Sequence, residues 1–335
     1  MIRVGLIGYG LAGAVFHEPL IEACERLGLN AVFTSREHPL RVSTIDELLK
    51  RSDLVVIASP NQTHFPLAKA ALESGRHVVV DKPFTVSLAE ADELIGIAKI
   101  CDRTLTVFHN RRWDGDFLTV KRVLPELGEV QLFEANWDRF RPAIKQGWRE
   151  EEAPGSGVLN DLGPHLIDQA LQLFGMPSTV SADIAIEREG AKVDDCFELA
   201  LHYGHMRACL RSSTLRPDPR PRFSVHGTKG AFVKHGLDPQ EGQLKDGLRP
   251  GDAGFGETSE KGMIVLADGS ARTLPTERGD YLAFYEAVAA SISEGAPVPV
   301  APEEARDGLL TIDLARRAAQ ECRPISVPGA SSLEA

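Results

Sequence analysis

Little in this 335-residue chain points to nucleic acid, metal or membrane. It has no block of lysine and arginine, and 48 acidic against 37 basic side chains give a formal net charge of -11. Such a surface repels phosphate backbones, which argues against nucleic acid as a partner. Cysteine is scarce: Cys24, Cys101, Cys196, Cys209 and Cys322 are scattered, odd in number and never spaced Cys-x-x-Cys. That usage fits reduced thiols in a cytoplasm and indicates neither a zinc nor an iron-sulfur site. No apolar stretch approaches the ~20 residues needed to cross a bilayer, and no internal repeat is visible. Met1 to Ala14 combines one arginine, an apolar stretch and small residues, as a secretory leader does. Gly8, Gly10 and Gly13 break that stretch at strand-turn spacing, so it is read as part of a mature, cytoplasmic protein.

At this length the chain has room for two domains with substantial cores. Over the first hundred or so residues, short apolar strands alternate with helical stretches, as in a parallel sheet flanked by helices. Strands are expected at Ile2 to Ile7, Asn30 to Ser35, near Val42, and at Leu54 to Ala58, His77 to Val80 and Leu105 to Phe108. Thr44 with Glu47, and Ser87 with Glu90, have capping-box spacing, while Gly75 ends a helix that begins near Pro66. After about residue 120 the strands lengthen and alternate. Phe197, Leu199, Leu201 and Tyr203 fall on one face and Glu198, Ala200 and His202 on the other, the signature of an antiparallel sheet with one wetter face. Helical stretches are expected near Pro164 to Phe174, Tyr281 to Glu294 and Glu303 to Gln320. Leu248 to Gly262 reads as a long mobile loop between strands, and Pro324 to Ala335 as a fraying tail. The expected class is α/β, with a doubly wound parallel sheet in residues 1–119 and a second α/β domain in residues 120–335.

Gly8-Tyr9-Gly10-Leu11-Ala12-Gly13 follows the first strand at once and leads into a helical stretch, the context a dinucleotide fingerprint requires. The glycines permit a tight turn and close approach of backbone to pyrophosphate, and the helix N-terminus then faces the phosphates. About 20 residues further on, an acid would bind the ribose of NAD. Here the second strand ends Thr34-Ser35-Arg36, a hydroxyl and a guanidinium that suit the 2′-phosphate of NADP. NADP is therefore favoured over NAD, with Glu37 as the one contrary residue. Strand four ends Ala58-Ser59-Pro60-Asn61, followed by Thr63 and His64, at the same rim of the sheet. Those side chains either line the cofactor cleft or, for Asn61 and His64, form a turn and a helix cap.

Asp81-Lys82-Pro83 directly follows Val78-Val79-Val80, which puts Lys82 at the edge where open α/β sheets bind ligands. A lysine beside a buried apolar run calls for a partner to its ammonium. In the second half, Gly155-Ser156-Gly157 precedes a helix carrying Asp161 and His165, four apart and able to project on one side. Beside a nicotinamide, such a pair suggests acid-base chemistry, because an imidazole can exchange a proton with an alcohol as hydride moves. A metal would need a third ligand that is not obvious, and Asp161 as a mere helix cap with His165 in the core is the structural alternative. His109-Asn110-Arg111-Arg112-Trp113-Asp114 follows strand six, where it either lines a polyol pocket or joins the domains through ion pairs.

Together, Gly8 to Gly13, Asp81-Lys82-Pro83, Asn110-Arg111-Arg112 and Asp161-Leu162-Gly163-Pro164-His165 resemble the glucose-fructose oxidoreductase/inositol dehydrogenase (Gfo/Idh/MocA) family over nearly the whole chain. Thr63 to Ala68, Phe108 to Asp114 and Gly236 to Glu241 look like a bacterial subgroup that includes NADP-dependent scyllo-inositol dehydrogenases. The family motif usually reads Glu-Lys-Pro, so Asp81 shortens the carboxylate's reach without removing it. The resemblance implies a Rossmann domain joined to a domain with an open, mainly antiparallel sheet, a frequent homodimer face. It also implies that Lys82, before a cis proline, touches nicotinamide ribose and reacting oxygen, that His165 is the acid-base group and that Asp161 binds substrate or orients it. Asn110, Arg112 and Trp148 join Asp161 and His165 as expected contacts to a sugar, cyclitol or polyol. Some members of the family sense nucleotide without catalysis, and intact Lys82, Asp161 and His165 speak against that alternative.

Overall fold

The computed structural model describes residues 1–144, 147, 150–153 and 155–329. In chain order they form β1 (Ile2–Ile7), α1 (Glu18–Ala23), β2 (Leu27–Phe33), β3 (Arg41–Val42), α2 (Ile45–Arg51), β4 (Leu54–Ile57), α3 (His64–Glu73), β5 (His77–Asp81), α4 (Leu88–Cys101) and β6 (Leu105–Phe108). Next come α5 (Gly115–Val123), β7 (Val130–Asn136), α6 (Val158–Phe174), β8 (Thr179–Ala185), β9 (Cys196–Tyr203), β10 (Met206–Ser213), β11 (Phe223–Gly227) and β12 (Gly230–Lys234). Last are α7 (Gln240–Lys245), β13 (Lys261–Leu266), β14 (Ala271–Pro275), α8 (Leu282–Glu294), α9 (Pro302–Glu321) and β15 (Ile325–Ser326). Packing gathers Met1–Asp114, Pro239–Glu257 and Gly279–Arg306 into one unit, and Gly115–Asp238, Thr258–Arg278 and the chain from Asp307 into another. The chain thus passes between units more than once.

In the first unit six parallel strands run in the order β3-β2-β1-β4-β5-β6. Residues 54–57 and 78–80 are fully buried, because helices cover both faces of such a sheet and only continuous apolar runs survive there. The order reverses between β1 and β4, the place where open α/β sheets take a nucleotide at the strands' carboxyl ends. β1 and β6 have the bounds read from sequence, whereas β2 starts earlier, at a buried Leu27. Both expected caps form: Thr44 Oγ1 accepts the Glu47 N–H (3.1 Å) and Ser87 Oγ the Glu90 N–H (3.3 Å).

Later residues complete this unit. Phe284 of α8 packs edge-on against Phe108 (4.9 Å between ring centres), and Thr106 Oγ1 donates to the Val300 carbonyl (2.7 Å). α7 packs on the helical turn after β1. From within α7, Gln243 donates to the Gly254 carbonyl (2.9 Å) and accepts the Gly256 N–H (2.7 Å), while Phe255 is buried. The loop expected to be mobile from Leu248 is thus pinned by hydrogen bonds over much of its length.

In the second unit nine strands run β14-β13-β12-β11-β7-β10-β9-β8-β15, with β7 and β10 parallel and the other neighbours antiparallel. The expected alternation holds on β9, where Phe197, Leu199 and Leu201 are buried in a core shared with Leu162 and Leu166 of α6. The tail departs from expectation: Ile325 and Ser326 pair with β8, and Ile325 and Val327 are buried, so apolar side chains dock this stretch.

Candidate active site

The fingerprint turn joins β1 to a helix that begins at Leu11. Two of its glycines are required by the protein itself. A β-carbon on Gly8 (φ +96°) would meet the Ala58 carbonyl oxygen at 2.5 Å, and one on Gly13 the Gly8 oxygen at 2.2 Å. Gly10 is different, since a β-carbon there would have nothing within 4 Å. Its bareness leaves a backbone cradle open to a ligand, which fits a dinucleotide approaching close to the chain. Leu11 is exposed beside it. Tyr9 donates to Glu18, and Glu18 takes the Nε2–H of His38 (2.9 Å), whose Nδ1 accepts the Leu40 N–H (3.1 Å). Burial and then the Glu18 carboxylate push the Tyr9 phenol up to about 12, so it stays a donor. This knot ties the fingerprint to the segment after β2.

Along the same rim, the Arg36 N–H donates to Thr34 Oγ1 (3.0 Å), and Ser35 and Arg36 are exposed at the end of β2. After β4, Ser59 Oγ and Thr63 Oγ1 lie 2.6 Å apart, and Thr63 Oγ1 donates to the Pro60 carbonyl, which sets the turn carrying Asn61. His64 was expected among the cofactor contacts. It is buried instead, with Nδ1 2.8 Å from the Pro83 carbonyl and Nε2 3.0 Å from that of Ser59, so it braces the rim from beneath.

At the end of β5 the Lys82-Pro83 bond is cis. Asp81 Oδ1 accepts the Lys82 N–H (2.7 Å), and Asp81 Oδ2 stands 3.8 Å from His17 Nε2. Burial pushes the Asp81 carboxyl up, but His17, Lys82 and His64 outweigh it and hold the group below the usual carboxylate range. His17 is fully buried, turned inward by a π-helical turn over Gly13–His17, and its Nδ1 lies 2.6 Å from the Tyr285 hydroxyl. Such one-residue expansions of a helix recur at functional sites. After β6, Asn110, Arg111, Arg112 and Asp114 are all buried. Arg111 pairs with Glu241 and with Asp114 (3.5 Å), Tyr281 donates to Asp114 (2.7 Å), and Arg112 pairs with Glu304 (2.8 Å). These ion pairs of both arginines lie within the first unit, whereas the sequence left open a polyol pocket or ion pairs joining the domains.

In the second unit, α6 is capped from outside. Asp194 accepts the Leu159 N–H on its carboxylate (2.7 Å) and the Val158 N–H on its carbonyl (2.8 Å), so Asp161 is not the cap. Asp161 pairs with Arg139 (3.6 Å), whose guanidinium lies over Trp137 (5.7 Å). The Trp137 ring also lies 6.0 Å from that of His165, tilted by 31°, and His165 is buried. His165 thus lies against Trp137, and Asp161 is linked to the same ring through Arg139. Sequence reasoning missed His17, Tyr285, Trp137, Arg139 and Asp194. None of them carries a local motif, and each acts through a partner distant in sequence. Trp148 lies outside the described residues.

Among the described residues, no cluster of three or more histidine, cysteine or acidic side chains is arranged to hold a metal ion, and no helix is long and apolar enough to cross a membrane. A six-stranded parallel sheet with an open Gly10 cradle at its reversal point, together with a mainly antiparallel second sheet, defines an NAD(P)-binding oxidoreductase. Residues 2–109 match the family model described as an oxidoreductase NAD-binding Rossmann fold, and residues 122–327 match the oxidoreductase family's C-terminal alpha/beta domain. The chain belongs to the Gfo/Idh/MocA oxidoreductase family. It is 45% identical to the uncharacterized oxidoreductase YdgJ of Escherichia coli, covering 93% of this chain and 95% of that one. It is 36% identical to scyllo-inositol 2-dehydrogenase (NADP(+)) IolW of Bacillus subtilis, covering 97% and 95%. The solved structure of the oxidoreductase YvaA of Bacillus subtilis superposes with a TM-score of 0.94 at 36% identity, covering 97% and 98%.

Proposed function

We propose that this protein is a cytoplasmic, NADP-dependent oxidoreductase that interconverts a hydroxyl and a carbonyl on a cyclitol or sugar resembling scyllo-inositol, and that it works as a homodimer or higher homo-oligomer. The observation that carries the reading is the pairing of an open fingerprint cradle at Gly10 with a lysine anchored at the end of β5 through Asp81. Ser35 and Arg36, exposed after β2, support NADP, and so does the name of the relative IolW.

Bound to the rim formed by Gly8 to Gly13, Ser35, Arg36, Ser59, Pro60 and Asn61, NADP would supply the hydride acceptor. The Lys82 ammonium holds and polarises the substrate oxygen, while the Asp81 carboxylate fixes the lysine's backbone. His165 takes the hydroxyl proton during oxidation and returns it during reduction. Asp161, held by Arg139, receives substrate hydroxyls, with Asn110, Arg112 and Trp148 as further contacts.

The test is turnover of inositol isomers, their ketones and aldoses with NADP and with NAD, alongside cofactor binding followed by tryptophan fluorescence. Turnover of a cyclitol or sugar with NADP bears the reading out. Saturable cofactor binding without turnover of any polyol or ketose would replace it with a nucleotide-sensing regulator of the same fold.

A further inference from the structure

We propose that His17 and Tyr285 are positioning residues for Lys82, acting through Asp81; the kinetic part of this inference rests on the oxidoreductase reading above. The ring of His17 is fully buried, packed on Phe108 (4.5 Å between ring centres) and held between two polar partners. A neutral imidazole has one donor and one acceptor nitrogen. Nε2 faces the Asp81 carboxylate at 3.8 Å, an electrostatic contact longer than a hydrogen bond. A proton on Nε2 points toward that anion, whereas a lone pair there would oppose it. Nδ1 is then the acceptor, and the Tyr285 hydroxyl 2.6 Å away is its donor. Burial, and then the charges of Asp81 and Cys24, raise the Tyr285 phenol well above its ordinary pKa, so the donor keeps its proton.

Tyr285 thus selects the tautomer of His17, and His17 steadies one oxygen of Asp81. The other oxygen accepts the Lys82 N–H at 2.7 Å, so both ends of the carboxylate are used. The titratable groups facing Asp81 are His17 from the π turn, Lys82 beside it and His64 from α3; those facing Tyr285 are His17, Asp81 and Cys24. Without the phenol hydroxyl, the buried Nδ1 loses its donor and the Nε2 proton is no longer selected. Asp81 then takes up a proton at higher pH, and the lysine loses its fixed neighbour.

Tyr285→Phe, His17→Gln and His17→Leu test the relay in the full chain. Nitrogen-15 histidine labelling reads the His17 tautomer directly, with no substrate present. We expect the Nε2-protonated form in the wild type and its loss in Tyr285→Phe. The same variant still folds and keeps its NADPH affinity, loses roughly tenfold in kcat through misplacement of the lysine, and moves the acid limb of its pH profile upward. His17→Gln, which can still present an amide N–H to Asp81, retains more kcat than His17→Leu. A wild-type ring protonated on Nδ1 or on both nitrogens overturns the relay, as does a folded Tyr285→Phe with wild-type kcat and pH profile. If the wild type turns over no polyol, the functional reading fails while the tautomer measurement still decides the relay.

Discussion

Gly157 and Asp194 are in such close contact that a β-carbon on the glycine would sit 2.2 Å from Asp194 Oδ1. Gly157 also has φ +88°, a left-handed conformation costly to other residues. The contact lets one carboxylate cap α6, which carries Asp161 and His165. Gly157→Ala should therefore cost ~2 to 4 kcal/mol through strain and a lost cap, read as a lower midpoint in urea denaturation. A midpoint equal to wild type would show that the loop relaxes and that the cap is not needed.

Glu241 anchors α7 to Arg111 and pairs with Lys245 within the same helix. Burial pushes its carboxyl up, but the Arg111 charge and Lys245 bring it down to about 2. Because the folded value is depressed below the ordinary ~4.3, the stabilisation is full above that pH and fades as pH falls toward 2. Glu241→Gln should lower the denaturation midpoint at pH 7, and its deficit against wild type should shrink at pH 3. A deficit of the same size at both values would remove the ion pair as its cause.

Gly10 separates ligand binding from folding. Its β-carbon position is open, so Gly10→Ala should melt like wild type yet bind NADP(H) more weakly by roughly tenfold, since the added methyl occupies the backbone's approach to the dinucleotide. A fluorescence titration compared with a melting curve checks both halves. Unchanged affinity would mean that the cradle is not where the cofactor lies.

Arg36 is the residue on which the proposed preference for NADP rests. Arg36→Ala should weaken NADP by roughly ten- to a hundredfold, the worth of a charge-assisted bond to phosphate, with little change for NAD. Equal losses for the two would take away the reason for favouring NADP.

His165→Ala should lower turnover by roughly a hundredfold or more, as loss of a general acid-base group does, while cofactor affinity stays near wild type. A variant with wild-type kcat would reassign the proton transfer to another group.

The first sheet was legible because its strands are short, its central runs are buried, as along β4 and β6, and turn chemistry bounds them. Val78-Val79-Val80 before Asp81-Lys82-Pro83 tells both the strand and the rim. The fingerprint glycines were legible for the same reason, yet sequence alone could not separate Gly8 and Gly13, which the protein's own packing demands, from Gly10, which it does not. His17 was invisible because only a π turn aims it inward, and its partner Tyr285 lies 268 residues away. His64 stood beside a rim turn, and only its two carbonyl neighbours show that it faces the interior. The tail was misread because two short apolar residues, Ile325 and Val327, give no periodic signal until β8 offers them an edge.

The first unit is finished by residues that come late. Phe108 waits for Phe284, Thr106 for Val300, and His17 for Tyr285. A ribosome adding about 5 to 20 residues per second needs on the order of ten seconds or more to travel from Asp114 to Tyr281. During that interval the nascent sheet has its six strands but lacks the aromatic side chains of α8. The emerging chain is then most in need of a chaperone and most open to proteases, and truncations ending before α8 should accumulate as aggregate.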